Sequence, residues 1–222
     1  MNDHPIRGVS RSKNSARRFY DRLSRWYDLL AEGSERKARE IGLSLLSPSK
    51  GEAVLEIGPG TGLSLLALAH AVGPLGKVYG VDLSEGMISV ARQRAAEETL
   101  SSVIRLVGGD GARLPFAAGI FGSLFLSFTL ELFDTPDIPI VLQECHRVLC
   151  DGGRLCVVAM AWRYRRNLWV RIYEWAHNRF PIYLDCRPIP VERLIRQVGL
   201  HVVTVRALSM WGLPVDIVLA QA

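Results

Sequence analysis

A glycine-rich turn between an apolar strand and a helix constrains the fold of this chain more than any other feature of its sequence. Residues 53–57 are an apolar run that leads into Gly58-Pro59-Gly60-Thr61-Gly62, here called the glycine loop, and residues 63–71 continue as a helix. Alternating glycines let backbone N–H groups approach a ligand that side chains would block. A tight turn without a ligand would use the same residues, so the loop alone predicts only a strand–turn–helix unit.

Strands and helices alternate along most of the chain, which predicts a parallel sheet with helices on both faces. The chain ends in a helix and two strands that no helix separates, which predicts an antiparallel hairpin at one sheet edge. The predicted fold class is therefore α/β, with a doubly wound, seven-stranded, mostly parallel sheet. After the first unit, the predicted strands are 77–81, 103–107, 120–127, 154–159, 201–208 and 215–220, and the predicted helices are 84–98, 138–149 and 191–198.

The length of 222 residues suits one compact domain. Residues 1–14 are polar and basic, and helical spacing begins at residue 15 and again at residue 34. We therefore expect an N-terminal arm with cap helices over 1–47 and a core over 48–222. An insertion at 162–188, between the fifth strand and the last helix, holds three of the five tryptophans and three of the six tyrosines.

The composition is apolar and basic, with 49% hydrophobic residues, a net charge of +5 and a mean hydropathy of +0.15. The longest charge-free apolar stretch, 117–130, is shorter than the ~20 residues of a membrane-spanning helix. The first thirty residues carry charge throughout, so no secretory signal is predicted and the protein is expected in the cytoplasm. The four cysteines lack CxxC spacing, so neither a metal site nor a disulfide framework is predicted.

Acidic residues follow the next two strands. Asp82 lies twenty residues after Gly62, where doubly wound nucleotide-binding folds place an acid on ribose hydroxyls, and Asp110 follows the third strand. Asp82 could instead cap the helix that follows it. The loop lacks the lysine of a phosphate-binding GxxxxGK[ST] motif and has GxGxG where a dinucleotide fold has GxGxxG. The pattern therefore points away from phosphate ligands.

These motifs resemble those of the class I S-adenosylmethionine-dependent methyltransferases over residues 54–220. Glu56-Ile-Gly-Pro-Gly-Thr-Gly62 resembles the family's first motif, and Val81-Asp82-Leu-Ser84 its ribose-binding acid. Gly109-Asp110-Gly-Ala112 resembles its adenine loop, and Leu149-Cys-Asp-Gly-Gly153 the turn before its fifth strand. The resemblance implies S-adenosylmethionine as cofactor and methyl transfer as activity.

Within the family, the chain is most similar to the ubiquinone and menaquinone biosynthesis C-methyltransferases and related lipid methyltransferases. The stretch Tyr20-Asp-Arg-Leu-Ser-Arg-Trp-Tyr27-Asp28 resembles their N-terminal helix, and 126–131 lies where they line the methyl-transfer pocket. This implies a small, apolar acceptor such as a quinone precursor or a lipid headgroup. Methylation of RNA or of another small molecule is the alternative, and a noncatalytic methyltransferase-fold binding subunit is the alternative of another class.

The resemblance also implies a set of cofactor-binding residues. Gly58, Gly60 and Gly62 would let the loop approach the cofactor, Asp82 would accept from the ribose, and Asp110 from the adenine. Several other residues have a structural alternative, either core packing or fixing of a turn. The remaining cofactor-binding candidates are Tyr27, Glu56, Leu83, Met87, Gly111, Ala112 and Ser127, and the catalytic candidates are Glu131, His177 and Asp185.

The insertion at 162–188 combines aromatic residues with six arginines. Such a segment suits a peripheral membrane contact or the roof of a substrate pocket, and ordinary packing of a cap helix is the alternative. A nucleic-acid partner is not expected, because the arginines are thinly spread and no recognition module accompanies them. The sequence leaves the oligomeric state open.

Overall fold

The computed structural model describes residues 27–162, 187–210 and 212–222. One mixed sheet carries the fold, with the strand order β3-β2-β1-β4-β5-β7-β6. The first five strands are parallel, and β7 is antiparallel to both β5 and β6. The strands are β1 (Ala53–Ile57), β2 (Lys77–Asp82), β3 (Ile104–Gly108), β4 (Phe121–Ser127), β5 (Leu149–Met160), β6 (His201–Met210) and β7 (Leu213–Gln221). The seven-stranded α/β fold with a C-terminal antiparallel hairpin is confirmed.

Helices cover both faces of the sheet. The helices are α1 (Tyr27–Leu46), α2 (Leu63–Val72), α3 (Glu85–Glu97), α4 (Asp137–Val148) and α5 (Val191–Gln197), and a short 3-10 turn covers Leu130–Leu132. Residues of α1, α2 and α3 share one buried apolar cluster, and residues of α4 and α5 share the other. The central strands are buried on both sides, which explains much of the apolar composition.

The N-terminal region differs from the prediction at one point. A separate helix was expected from residue 34, whereas α1 continues through Gly33 and Ser34 without a break. Glycine inside a helix costs about 1 kcal/mol relative to alanine. Burial of one helix face, which includes Ala38 and Leu46, stabilises the helix through packing and outweighs that local preference.

The orientation of α1 matters for the site. At its C-terminal end, Arg154 Nη1 donates to the carbonyl oxygens of Leu46 and Ser47 at 2.8 and 2.9 Å. One turn earlier, a Cβ atom on Gly42 would lie 2.7 Å from Cγ2 of Val158. Since Val158 follows Arg154 along β5, the helix runs antiparallel to this strand. The part of α1 that precedes Gly42 therefore lies over the carboxyl edge of the sheet.

Within the described ranges, no helix combines the length and the apolar character needed to cross a membrane.

Candidate functional site

The glycine loop joins β1 to α2 at the carboxyl edge of the sheet. Gly58, Gly60 and Gly62 have φ angles of 67°, 54° and 90°, a region that side-chain-bearing residues rarely adopt. The Gly58 N–H donates to the carbonyl oxygen of Val81 at 2.8 Å, and the Gly62 N–H donates to that of Pro59 at 2.9 Å. The backbone of the loop is thus fixed against the end of β2.

The three glycines meet different surroundings. A Cβ on Gly58 would lie 2.4 Å from Cγ2 of Thr129, and one on Gly62 would lie 2.9 Å from Cβ of Ala91. A Cβ on Gly60 would have no atom within 4 Å. Packing within the protein therefore requires glycine at the two outer positions. At Gly60 the loop borders open space, which fits the close approach of a ligand.

Asp82 lies at the end of β2 and contacts the glycine loop. Its Oδ2 accepts the Gly60 N–H at 3.2 Å, and its Oδ1 accepts the Ser84 N–H at 2.9 Å. The hydroxyl of Ser84 accepts the Met87 N–H at 3.1 Å, so Ser84 caps α3. The alternative that Asp82 serves as the helix cap is therefore wrong.

The loop after β3 packs close to the end of β1. Oδ1 of Asp110 accepts the Ala112 N–H at 3.0 Å, which closes a tight turn. A Cβ on Gly111 would lie 2.9 Å from both Cγ2 of Ile57 and Cζ of Phe133. The half-buried Asp110 and Asp82 thus lie at the ends of neighbouring strands, where doubly wound sheets bind ligands.

The other cofactor-binding candidates differ in how exposed their side chains are and in whether the structure describes them. Leu83 is 37% exposed and presents an apolar surface at the end of β2, whereas Met87 is 2% exposed and its side chain is largely covered by the protein itself. Ser127 ends β4, and its carbonyl oxygen accepts from the hydroxyl of Thr129 at 3.0 Å. The side chain of Tyr27 lies outside the part of the chain that the structure describes.

Glu56 is a buried carboxyl directly beneath the glycine loop, with 1% exposure. Its Oε1 accepts the Ser64 hydroxyl at 2.5 Å, and its Oε2 has no partner among the described residues. Burial raises the pKa of Glu56 from 4.5 to about 8, although the Ser64 hydrogen bond and the positive charge of Arg39 oppose the shift. One carboxyl oxygen of Glu56 thus holds the start of α2.

Glu131 is a second buried carboxyl, in the 3-10 turn after β4, and it is fully covered. Its Oε1 accepts the Met160 N–H at 3.1 Å, and its Oε2 has no partner among the described residues. Burial raises its pKa to about 8, the negative charge of Glu35 adds to the shift, and Arg187 opposes it. The carboxyl therefore lies between the carboxyl ends of β4 and β5.

The C-terminal end of the insertion packs on this turn. Arg187 is buried and donates to the carbonyl oxygens of Glu131 and Phe133 at 3.2 and 2.5 Å, and to the Thr135 hydroxyl at 2.8 Å. Trp162, at the other end, is 43% exposed. The catalytic candidates His177 and Asp185, and most of the proposed roof, lie outside the described residues.

Sequence reasoning missed several residues of this site. Glu35 and Arg39 lie one turn apart on α1, near the face that buries Ala38 and Gly42, so their charges border a packed surface. Glu35 and Arg39 could have been identified from the sequence, because they stand next to small residues that recur at helical spacing and predict a packed helix face. Thr129 and the buried Arg187 have no comparable signal, because long-range packing alone brings them to the site.

Comparison with known proteins gives three findings. Residues 54–153 match a family model described as a methyltransferase domain. A demethylmenaquinone methyltransferase of Geobacillus kaustophilus is 35% identical over 140 residues, which cover 61% of this chain and 58% of the relative. A nocamycin O-methyltransferase of Saccharothrix syringae is 37% identical over 137 residues, covering 61% of this chain and 48% of the relative. The matched region thus spans about half the length of these relatives.

Among solved structures, a SAM-dependent methyltransferase from Aquifex aeolicus superposes with a TM-score of 0.61 at 22% identity. The alignment covers 82% of this chain and 88% of that one. At this identity the likeness concerns the fold, and it agrees with the mixed sheet and terminal hairpin described above.

Proposed function

We propose that the chain, whose residues 54–153 match a methyltransferase domain, is a class I S-adenosylmethionine-dependent methyltransferase and transfers the methyl group of this cofactor to a small, apolar acceptor. The observation that carries the proposal is the contact between Gly60 and Asp82, which joins a glycine loop bordering open space to an acid at the adjacent strand end. S-adenosylmethionine supplies a methyl group on a positively charged sulfur, which an acceptor atom attacks in line.

The cofactor seat extends over three strand ends. The glycine loop provides backbone close to the cofactor, Asp82 accepts from its ribose hydroxyls, and Asp110 accepts from its adenine amino group. The Gly60 and Ser84 N–H groups already fix the orientation of the Asp82 carboxylate. The backbone of Gly111 and Ala112 and the exposed surface of Leu83 border the adenine.

The methionine part of the cofactor lies toward β4. The free Oε2 of Glu56 accepts from the cofactor's amino group, and the backbone of Ser127 meets the same part of the cofactor. We assign Tyr27, whose side chain lies outside the described part of the chain, to this end of the cofactor, and Met87 to packing beneath the adenine. Burial of Glu56 favours a charge-assisted hydrogen bond there, because no solvent screens it.

The acceptor is a quinone precursor or a lipid headgroup, with the quinone class favoured. Support comes from the relatives, of which several are demethylmenaquinone methyltransferases at 32–35% identity. The nocamycin O-methyltransferase leaves an oxygen acceptor as the alternative to carbon. The insertion at 162–188 covers an apolar acceptor or contacts a membrane surface, as its aromatic and arginine content suggests.

Glu131 is the catalytic candidate within the described residues, alongside His177 and Asp185 beyond them. When the acceptor forms its bond to the methyl group, the sulfur–carbon bond breaks and its electron pair stays on sulfur. The acceptor then loses a proton, and the carboxylate of Glu131 is the group proposed to take it. The free Oε2 and a pKa near neutrality fit this exchange.

The test combines binding with turnover. Calorimetry should detect binding of S-adenosylhomocysteine, and incubation with methyl-labelled S-adenosylmethionine should label demethylmenaquinone with a short tail. Asp82→Ala serves as the control that lacks the ribose acid. Cofactor binding without labelling of any apolar acceptor would favour a noncatalytic role, and labelling of RNA instead would favour the RNA alternative. Absence of cofactor binding would reject the proposal.

The membrane contact needs its own measurement. Flotation of the full chain with vesicles should recover more protein as the anionic lipid content rises, because the insertion carries six arginines. Recovery that does not depend on anionic lipid, or no recovery, would leave the segment as a pocket roof only.

A further inference from the structure

Helix α3 contacts the glycine loop at two points. A Cβ atom on Gly62 would lie 2.9 Å from Cβ and 3.1 Å from Cα of Ala91, so the loop backbone packs directly on this small residue. Three positions later on the helix, Nη1 of Arg94 donates to the hydroxyl of Thr61 at 3.2 Å. Residues three positions apart are neighbours on the helix surface, so one side of α3 supplies both contacts.

The hydrogen bond between Arg94 and Thr61 lies at the border of the packed interior. Thr61 is 3% exposed and Ala91 is 2% exposed, whereas Arg94 is half-buried. A charged donor makes a stronger hydrogen bond than a neutral one, and a covered hydroxyl that loses its partner costs free energy. The guanidinium therefore holds Thr61 from a position 33 residues further along the chain.

The residue before Thr61 is the part of the loop that borders open space. The Gly60 N–H donates to Oδ2 of Asp82, and a Cβ on Gly60 would have no atom within 4 Å. Because Gly60 and Thr61 share a planar peptide group, a displacement of Thr61 also moves the backbone of Gly60. Arg94 can therefore influence a ligand at Gly60 through Thr61.

We propose that Arg94 is a positioning residue for the methyl donor, which fixes Thr61 and so keeps the Gly60 backbone in the conformation that binds the cofactor. The inference rests on the proposed function, because it takes the glycine loop as part of the cofactor seat. A loop that is ordered before binding spares the ligand the free energy of ordering it. When the contact is lost, only a fraction of the molecules has the competent loop, and the apparent affinity falls by that fraction.

A purely structural role for Arg94 makes a different prediction. Arg94 lies in the last turn of α3, where a positive charge stabilises the helix. That effect alone would change the stability of the protein and leave the cofactor affinity of the folded protein as it is. Cofactor affinity therefore has to be measured beside the melting temperature, well below the Tm of each variant.

The first experiment removes either partner of the hydrogen bond. Arg94→Met keeps the apolar stem and lacks the donor, and Thr61→Val keeps the shape and lacks the acceptor. Calorimetry on the full chain should show that each variant binds S-adenosylhomocysteine about 10-fold more weakly, as the loss of one charge-assisted hydrogen bond predicts. The double variant should bind no more weakly than the weaker single variant. Arg92→Met is the control, because Arg92 lies on the same helix and is exposed.

Turnover provides a second readout that helix stability would not change. With methyl-labelled S-adenosylmethionine and short-tailed demethylmenaquinone, Arg94→Met should raise KM for the donor about 10-fold and leave kcat within about twofold. This split is expected because the loop contact contributes equally to the bound donor and to the transition state. Arg94→Lys keeps a cationic donor and should recover part of the lost affinity.

Wild-type affinity for S-adenosylhomocysteine in both Arg94→Met and Thr61→Val would overturn the inference, and so would additive losses in the double variant. A lower Tm of Arg94→Met with unchanged affinity would overturn it as well, since Arg94 would then only stabilise α3. If Arg94→Met does not fold, Thr61→Val and Arg94→Lys decide the question by the same measurements. Absence of binding by the wild-type chain would reject the proposed function instead.

Discussion

The Gly60 N–H donates to Oδ2 of Asp82 at 3.2 Å, across 22 positions of sequence. This hydrogen bond joins the middle of the glycine loop to the end of the adjacent strand. Gly60 borders open space on its other side, and Asp82 is half-buried. The acid therefore has two functions in the proposed site, since it orients the loop and accepts hydrogen bonds from the ribose of the cofactor.

Replacement of Asp82 should separate these two functions. Asp82→Ala removes the loop contact and the proposed ribose acceptor, and we expect S-adenosylhomocysteine affinity to fall by about 3 kcal/mol, or roughly 100-fold. Asp82→Asn keeps one acceptor oxygen and should lose less. Calorimetry measures both, with melting temperatures to confirm folding. Equal affinity of the alanine variant and the wild type would contradict the ribose assignment.

The glycine loop offers a matched pair of substitutions. Gly60→Ala introduces strain of about 1–2 kcal/mol from the left-handed backbone but no clash, so the protein should fold and lose cofactor affinity. Gly58→Ala adds a 2.4 Å contact with Thr129 and should lose more stability. The double variant with Thr129→Ala should recover part of that loss in thermal unfolding. No recovery would show that backbone strain alone destabilises the Gly58 variant.

Arg187 should be important for stability, because its guanidinium donates to three acceptors in the turn after β4. Arg187→Met leaves those acceptors without their partner, and we expect a loss of about 3 kcal/mol, or roughly 6–12 °C in Tm. Arg196→Met is the control, since the exposed Arg196 pairs with Glu192 and should lose about 0.5 kcal/mol at most. Similar losses in both variants would argue against the role of Arg187.

The buried carboxyls should make stability depend on pH. Folding raises the pKa of Glu131 from 4.5 to about 8, so between these values the folded state binds more protons than the unfolded state. The contribution of this group to stability is therefore fully present at and below about pH 4.5 and is lost as the pH rises to about 8. Glu131→Gln has no such titration and should show a smaller difference in Tm between pH 5.5 and pH 8.5. Glu40→Gln is the control, because Glu40 is exposed and its replacement should leave the Tm difference between the two pH values as it is in the wild type. If Glu131→Gln also shows the wild-type Tm difference, the expectation is contradicted.

Much of the fold could be predicted from the sequence, because it depends on local patterns. Apolar runs bounded by glycine and proline predict strands, and the lack of a helix between the last two strands predicts the hairpin. The prediction and the structure differ where tertiary contacts override a local sequence pattern. The turn expected at Asp151-Gly152-Gly153 is part of β5, where the pairing with β4 shifts register between Phe121 and Ser123. Long-range pairing with neighbouring strands decides such boundaries, and a local pattern does not contain it.

The sequence by itself determined the strand–loop–helix unit, the alternation that makes the sheet parallel, and the acids at two successive strand ends. Each of these features depends on residues that are close to one another along the chain. Only the tertiary structure decided that Ser84 rather than Asp82 caps α3, that Arg187 supports the turn of Glu131, and that Glu35 and Arg39 join the carboxyl edge. Those relationships depend on how α1 and the insertion's end pack on the sheet, and burial there changes the charge state of carboxyls that would be ordinary in water.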